Sequence, residues 1–461
     1  MATAFSTLPN IGETLSVAHS ALKLVEPFAL SRESEPDKIV PPVPSTLEET
    51  GINASVVEQL ILKLLYFRGD VLGRDLASAI GLRFSVIETL LDGFKRQQQV
   101  EVKRSLGMGS VSSQFTLTES GRRHAQNYLD SNQYVGPAPV PVEQFSAVVR
   151  KQRAKDGWLT RERLAYAYRK MIVTDRILSQ IGPAVSSGNS FLIYGQPGNG
   201  KTFLAEALAD IDDSCIYMPY AIECQGMIVQ LYDPIYHEVI REEDSSSVFS
   251  FELPYDGRWF KCKRPFIVSG GELTLEMLDL NYNASTKVYE APFHLKATNG
   301  IYLIDDFGRQ RVTPAEVLNR WIVPLERRID YLSFRSGGKM TVPFEAFLIF
   351  STNLRPEQLG DEAFLRRIHY KMLLQSPCSR EYTNIFKAFC AAKGLAISDA
   401  LVERFIARHY GDGRKQFRRC HPRDVLTHAI DLIHFEKLPC DLTDELLDRA
   451  FESCFVEGHF E

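Results

Sequence analysis

Apolar residues recur at helical spacing through SVVEQLILKLLYF, which starts at Ser55, and the pattern predicts a helix there. LGRDLASAIGL follows as a shorter helix with a glycine stop, and FSVIETLLDGFKRQQQV as a third. The third opens on a capping-box pattern, Ser85 followed by Glu88. VEVKRSL and QFTLTESG then read as two strands around the turn-rich tip GMGSVSS, and a helix over Glu119–Leu129 closes the unit. YVGPAPVPVEQ (134–144) breaks the periodicity with three prolines and a glycine, as a linker does. Helical spacing resumes at GWLTRERLAYAYRKMIV, and from Ser190 strands and helices alternate in the α/β manner. Beyond Ser376 the pattern is helical only, near 379–393, 398–409, 422–436 and 443–456. Residues 1–50 are rich in Ser, Pro and Glu and are expected to be mobile, with one candidate helix around Thr14–Lys23.

Helix, helix, helix, strand, tip, strand is the winged-helix order, which assigns 51–132 to an α+β winged-helix domain and 133–154 to a Pro-rich linker. Residues 155–375 form an α/β core and 376–461 a helical region.

Composition narrows the partners. The 461 residues are 44% hydrophobic and 24% charged, with a net charge of −5. A slightly acidic chain is not broadly drawn to nucleic acid or anionic membrane, so any such contact is a local patch. No apolar run approaches the length of a membrane span, and no basic segment leads into an apolar one at the N-terminus. A cytoplasmic protein is expected. The eight cysteines are scattered without CxxC spacing, the usage of reduced thiols rather than of a zinc site.

The chemistry is concentrated in GQPGNGKT, residues 195–202. It fits G-x-x-x-x-G-K-[ST] and stands between an apolar strand, Phe191–Tyr194, and a helix opened by Phe203. Gly195, Gly198 and Gly200 let the backbone of Gln196, Pro197 and Asn199 wrap phosphate oxygens. Lys201 reaches the β/γ-phosphates and Thr202 binds Mg²⁺. Hydrolysis needs a carboxylate for the metal and a group to position water. GIYLIDDFGRQ offers both at a strand end: Asp305 for the metal, Asp306 for the water. AFLIFSTNL places Asn353 at the end of another strand, within reach of the γ-phosphate and the water. DEAFLRRIHYKM supplies Arg366 and Arg367, and CHPRDVLTHAI supplies Arg423 in the first turn of a helix. A cation there opposes the helix dipole and calls for an anionic partner. Asp424 is the nearest one in sequence.

In this order the motifs resemble an AAA+ ATPase over roughly 155–461. The resemblance implies a parallel αβα core with a C-terminal helical lid, ATP with Mg²⁺ as cofactors, and homo-oligomeric rings, usually hexamers. ATP then lies between subunits. The resemblance makes Asn353 a sensor-1-like residue, Arg423 a sensor-2-like one, and Arg367 or Arg366 a finger that enters the neighbouring site. Asp306 departs from the family, where glutamate is frequent. Asp305 lies 104 residues after Lys201, longer than a minimal core, so an insertion is expected over about 224–298, including RWFKCKRPF as a basic strand. RRIDYLSFRSGGKMTVPF (327–344) resembles the pre-sensor-1 hairpin of helicase-like and chelatase-like members, with Arg335 and Lys339 at its tip facing either a threaded polymer or solvent.

The winged helix has ten Lys/Arg against eight Asp/Glu over 51–130, a weak footprint for a DNA reader. Protein docking and DNA contact both stay open. Two functions follow: a ring-forming ATPase that remodels a protein or nucleic-acid client, or a nucleotide-switched DNA-binding regulator with slow turnover. A small-molecule kinase would suit the phosphate loop alone.

Overall fold

A computed structural model describes residues 39–105, 107, 109–154, 157–212, 214–240, 254–360 and 362–455. The candidate helix at 14–23 lies outside these residues. Residues 39–50, expected to be mobile, are packed: Pro41 and Pro44 are buried, and Thr46 Oγ1 caps the short helix Leu47–Thr50. Among the described residues no helix is long and apolar enough to cross a membrane.

In the N-terminal unit, helix Ala54–Arg68 buries Val57, Leu60, Ile61, Leu64 and Leu65, the i, i+3, i+4, i+7 face of an amphipathic helix. Helices Gly73–Ile80 and Phe84–Arg96 pack beside it. The capping box expected at Ser85 is not formed. The third helix is preceded by Arg83, in extended conformation and without a side-chain cap, so Ser85 already lies inside the first turn. Strands Val71–Leu72, Ser113–Leu117 and Val100–Ser105 make an antiparallel sheet in that spatial order, and helix Glu119–Ser131 follows.

The next layer includes the stretch expected as a linker. Val140–Pro141 pairs with Ala221–Cys224 at one edge of a five-stranded mixed sheet. Helix Val142–Lys151 buries Phe145 and Val149 among Tyr217, Trp259, Leu332 and Met340. The prolines are compatible with this folded segment for a physical reason. Pro141 sits at the helix N-cap with φ −56, where its fixed φ and missing N–H are compatible with helix entry. Gln152 ties the far end down, donating to Tyr217 O at 3.0 Å and accepting from Tyr217 N at 2.6 Å. Hairpin Ile329–Ser333/Lys339–Pro343 packs into this layer through Leu332, Phe334, Met340 and Val342. At its tip, Arg335 lies over the Tyr282 ring at 5.1 Å.

The core is a parallel five-stranded sheet in the order Phe266–Ser269, Ile301–Ile304, Phe347–Thr352, Phe191–Tyr194, Tyr370–Leu373. Its strands are near-continuous apolar runs, as a sheet covered on both faces requires. Phe266–Ser269 falls inside the stretch read as an insertion yet is a core strand. RWFKCKRPF is therefore two strands of two sheets, because Trp259–Lys263 pairs antiparallel with Cys215–Pro219. Between them Arg264 turns the chain, held by Asp212 Oδ2 at 2.8 Å and Asn299 O at 2.6 Å.

Helices Ser379–Ala392, Asp399–Tyr410, His421–Glu436 and Asp444–Cys454 pack as a C-terminal helical bundle, the region expected as a lid, around Tyr382, Phe386, Phe405, Leu447 and Phe451.

The N-terminal unit is seated directly on the inserted layer. Arg258, 1% exposed, bonds Asp256 through Nε at 3.0 Å and Nη2 at 2.7 Å. The same guanidinium donates to Thr50 O at 2.8 Å and Gln144 Oε1 at 3.3 Å, gathering three segments. Beside it Gly81, at φ +73, lies so close that a Cβ would stand 2.4 Å from Gly257 O. Ala221 and Val288 of the inserted layer share the apolar cluster of the N-terminal unit.

Candidate functional site: a phosphate loop at the strand ends

Three neighbouring core strands lead into the candidate residues: Phe191–Tyr194 into Gly195, Ile301–Ile304 into Asp305, and Phe347–Thr352 into Asn353. In an open parallel sheet this end of the strands is where ligands bind. Gly195 at φ +146 leaves no room for a side chain, since a Cβ would meet Leu374 O at 2.4 Å. Gly198 at φ +77 faces the lid, where a Cβ would stand 2.6 Å from Cys420 Sγ.

Lys201 begins the helix Lys201–Glu206 and is 6% exposed. Its ammonium donates to Gly195 O at 3.0 Å, Gln196 O at 3.1 Å and Asn353 Oδ1 at 2.6 Å. Three neutral acceptors satisfy its three donors without neutralising its charge. Burial pulls its pKa below the ordinary lysine value, Asp306 and Asp305 push back, and Arg418 and Arg309 reinforce the lowering. Asn353 also donates through Nδ2 to Asp306 Oδ1 at 3.0 Å.

Thr202 Oγ1 donates to Asp305 at 2.8 and 3.0 Å. A hydroxyl and a carboxylate are hard oxygen donors suited to Mg²⁺, which keeps several waters and shares substrate phosphates. Among the described residues no group of three or more His, Cys, Asp or Glu could hold a metal ion. A Mg²⁺ held by Thr202 and Asp305 would draw its other ligands from phosphate and water. The carboxylate turn is braced by Gln310 Nε2, which donates to Asp305 O at 2.7 Å, and by Phe307 N, which donates to Ser351 O at 2.7 Å. Asp306 adopts φ +49, a left-handed conformation that aspartate tolerates better than most side chains.

The other expected residues divide. Asn199 is 1% exposed and donates to Ser376 Oγ at 3.3 Å, while its Oδ1 has no partner among the described residues. Phe203, beside the loop, is 55% exposed. Arg366 is exposed, whereas Arg367 Nε bonds Glu326 Oε1 at 3.0 Å. Arg423 is exposed and bonds its neighbour Asp424 at 2.9 Å.

Arg418 was missed by sequence reasoning. It donates through Nη2 to Gln196 Oε1 at 3.4 Å and through Nη1 to Ser376 Oγ at 2.7 Å, and Cys420 N donates to Gly198 O at 2.9 Å. Arg418 precedes its helix, so helical spacing gives its side chain no direction.

The chain is similar to solved structures of RuvB from Thermotoga maritima. One point mutant of that protein is 13% identical, with 61% of this chain and 70% of that chain covered, at a TM-score of 0.36. For a second point mutant the values are 14%, 65%, 73% and 0.35. A structure titled Holliday junction branch migration motor gives 14%, 61%, 70% and 0.35. No curated protein matches the chain. Residues 379–453, within the lid, match the family model of a domain of unknown function, DUF8689.

Proposed function

We propose that this chain is an AAA+ ATPase that binds ATP and Mg²⁺ at residues 195–203, hydrolyses it, and remodels a protein or nucleic-acid client as a ring, most simply a hexamer. One observation carries the reading: Lys201, Asn353 and Asp306 form a continuous hydrogen-bonded row beside the Thr202–Asp305 pair. On this reading Lys201 is the phosphate-binding cation, Asn353 the γ-phosphate reader and Asp306 the water-positioning carboxylate, with Thr202 and Asp305 for the metal. Arg366 and Arg367 are proposed to serve a neighbouring subunit's site, where a cation stabilises transition-state charge only in the assembled ring. Arg423 is proposed to meet the nucleotide from the lid once it leaves Asp424.

We read the three helices and antiparallel sheet of the N-terminal unit as a winged helix that recruits the client in the cytoplasm. The face of Phe84–Arg96 that carries Ser85, Thr89, Asp92 and Arg96 is exposed. That open face favours a second reading, a nucleotide-switched DNA-binding regulator.

The test is the solution mass of the Asp306→Asn chain with and without ATP·Mg²⁺, alongside wild-type phosphate release. A multiple of about six with ATP supports the shared-site ring. A monomer or dimer under both conditions, with slow turnover and DNA binding, supports the regulator.

A further inference from the structure

The face of the mixed sheet that receives the N-terminal unit is only partly covered. Side chains alternate along Val288–Glu290, so Val288 and Glu290 share one face and Tyr289 points to the other. Tyr289 is buried within the inserted layer, whereas Val288 joins the apolar cluster of the N-terminal unit. Gln230 is in register with both Ala221 and Glu290. Ala221 lies in the covered part of that face, but Gln230 and Glu290 stay exposed. There the sheet, residues 133–137, Tyr220 and Tyr232 line a cavity of about 300 Å³. That is the lower end of the usual range for ligand sites, roughly 300–1,000 Å³.

The walls are tied in place. Gln133 N donates to Thr286 O at 2.7 Å, and Asn283 Oδ1 accepts from Ser285 N at 3.0 Å and Thr286 N at 3.1 Å. Tyr134, 7% exposed, donates to Pro137 O at 2.7 Å. A cavity fixed in this way loses little freedom when a ligand enters.

Its chemistry selects a cation. Glu290 is the one charged side chain in the lining, and its carboxylate has no partner among the described residues. The Tyr220 and Tyr232 rings meet edge-on at 5.2 Å, and their hydroxyls also have no partner among the described residues. Aromatic faces beside a carboxylate attract positive charge through both the ring quadrupole and the ion. A guanidinium suits this set better than an ammonium, because it is planar, stacks on rings and forks onto a carboxylate.

We propose that this cavity is a guanidinium site, filled by a small free guanidine or by an arginine side chain of a polypeptide partner. The assignment is independent of the nucleotide reading.

The test is isothermal titration of the full chain with propylguanidine and with acetyl-Gly-Arg-Gly-amide. Each is paired with its uncharged counterpart, propylurea or the citrulline peptide. Expected is saturable binding of a guanidine, with its uncharged counterpart at least about tenfold weaker. Tighter binding of the arginine peptide identifies a polypeptide source, and tighter binding of propylguanidine a free one. Glu290→Gln should lose about tenfold in affinity and Tyr232→Ala about fivefold, while Tyr232→Phe, which keeps the ring, should change by less than about twofold. Glu276→Gln, a change at an exposed glutamate outside the cavity, should have no effect. No saturation by about 10 mM of either guanidine overturns the proposal. So do equal binding of the uncharged counterparts, wild-type affinity in Glu290→Gln, and an equal loss in Glu276→Gln.

Discussion

Lys201 and Asn353 share a hydrogen bond of 2.6 Å, and the far side of the same amide holds Asp306 at 3.0 Å. One side chain thus fixes the distance between the Lys201 ammonium and the Asp306 carboxylate. Asn353→Ala should keep nucleotide affinity within a few-fold yet slow phosphate release about 100-fold, the scale for removing one positioned donor. Lys201→Ala should abolish binding itself. Binding is read by nucleotide fluorescence and turnover by phosphate release, and retained micromolar affinity in Lys201→Ala would overturn the loop assignment.

Asp330 ties the inserted hairpin to the core. It is 1% exposed and accepts from Arg320 Nη1 at 2.7 Å and His294 Nε2 at 2.8 Å. Burial alone would raise its pKa, but the bonds and charges of His294 and Arg320 outweigh burial and hold it at about 2. A depressed carboxylate contributes stability that is complete above its ordinary value of 3.8 and is lost as pH falls through about 2. Asp330→Asn should cost about 3 kcal/mol in urea unfolding, because it strands Arg320. The variant should also show a flatter acid limb than wild type, and an unchanged limb would remove Asp330 from this role.

Gly81→Ala tests the joint between the N-terminal unit and the inserted layer. It meets both a left-handed φ and the Gly257 carbonyl. Gly188 also has positive φ, +62, but nothing within 4 Å of its added Cβ. Gly188→Ala should lose about 1 kcal/mol from backbone strain alone, and Gly81→Ala about 1–3 kcal/mol more. Hydrogen exchange near residues 50, 139 and 256–258 should rise only in Gly81→Ala. Equal losses in the two variants would mean that the contact at Gly257 relaxes freely.

His421 opens the lid helix next to Cys420, and its Nδ1 meets Tyr410 Oη at 2.8 Å. Burial, and then the charge of Arg418, pull its pKa from 6.5 to about 4. The folded lid therefore prefers the neutral ring. Its stability is complete above 6.5 and falls as pH drops toward about 4. Lid protection factors, corrected for the intrinsic pH dependence of amide exchange, should fall as pH drops through that window and lose the dependence in His421→Phe. Wild-type protection factors that stay constant with pH would contradict the shift.

That residues 195–202, the Asp305–Asp306 pair and Asn353 follow core strands is legible in the sequence, because the end of an apolar strand is a local event. Sheet membership was not local. Nothing within RWFKCKRPF says that the chain changes sheets at Arg264, since that turn is fixed by Asp212 and Asn299 from elsewhere. Pro137, Pro139 and Pro141 carried a linker's composition, while the burial of Phe145 and Val149 decided otherwise. Arg418 and Arg423 lie five positions apart and look alike in sequence. Only the placement of Gln196, Ser376 and Asp424 tells them apart.

The Arg258 clamp has a consequence for synthesis. Arg258 and Thr50, which it holds, are 208 residues apart. The seat of the N-terminal unit therefore does not exist when that unit leaves the ribosome. Its docking face must wait in water while the inserted strands are made. A chain stopped before Arg258 would carry a folded head with its underside bare.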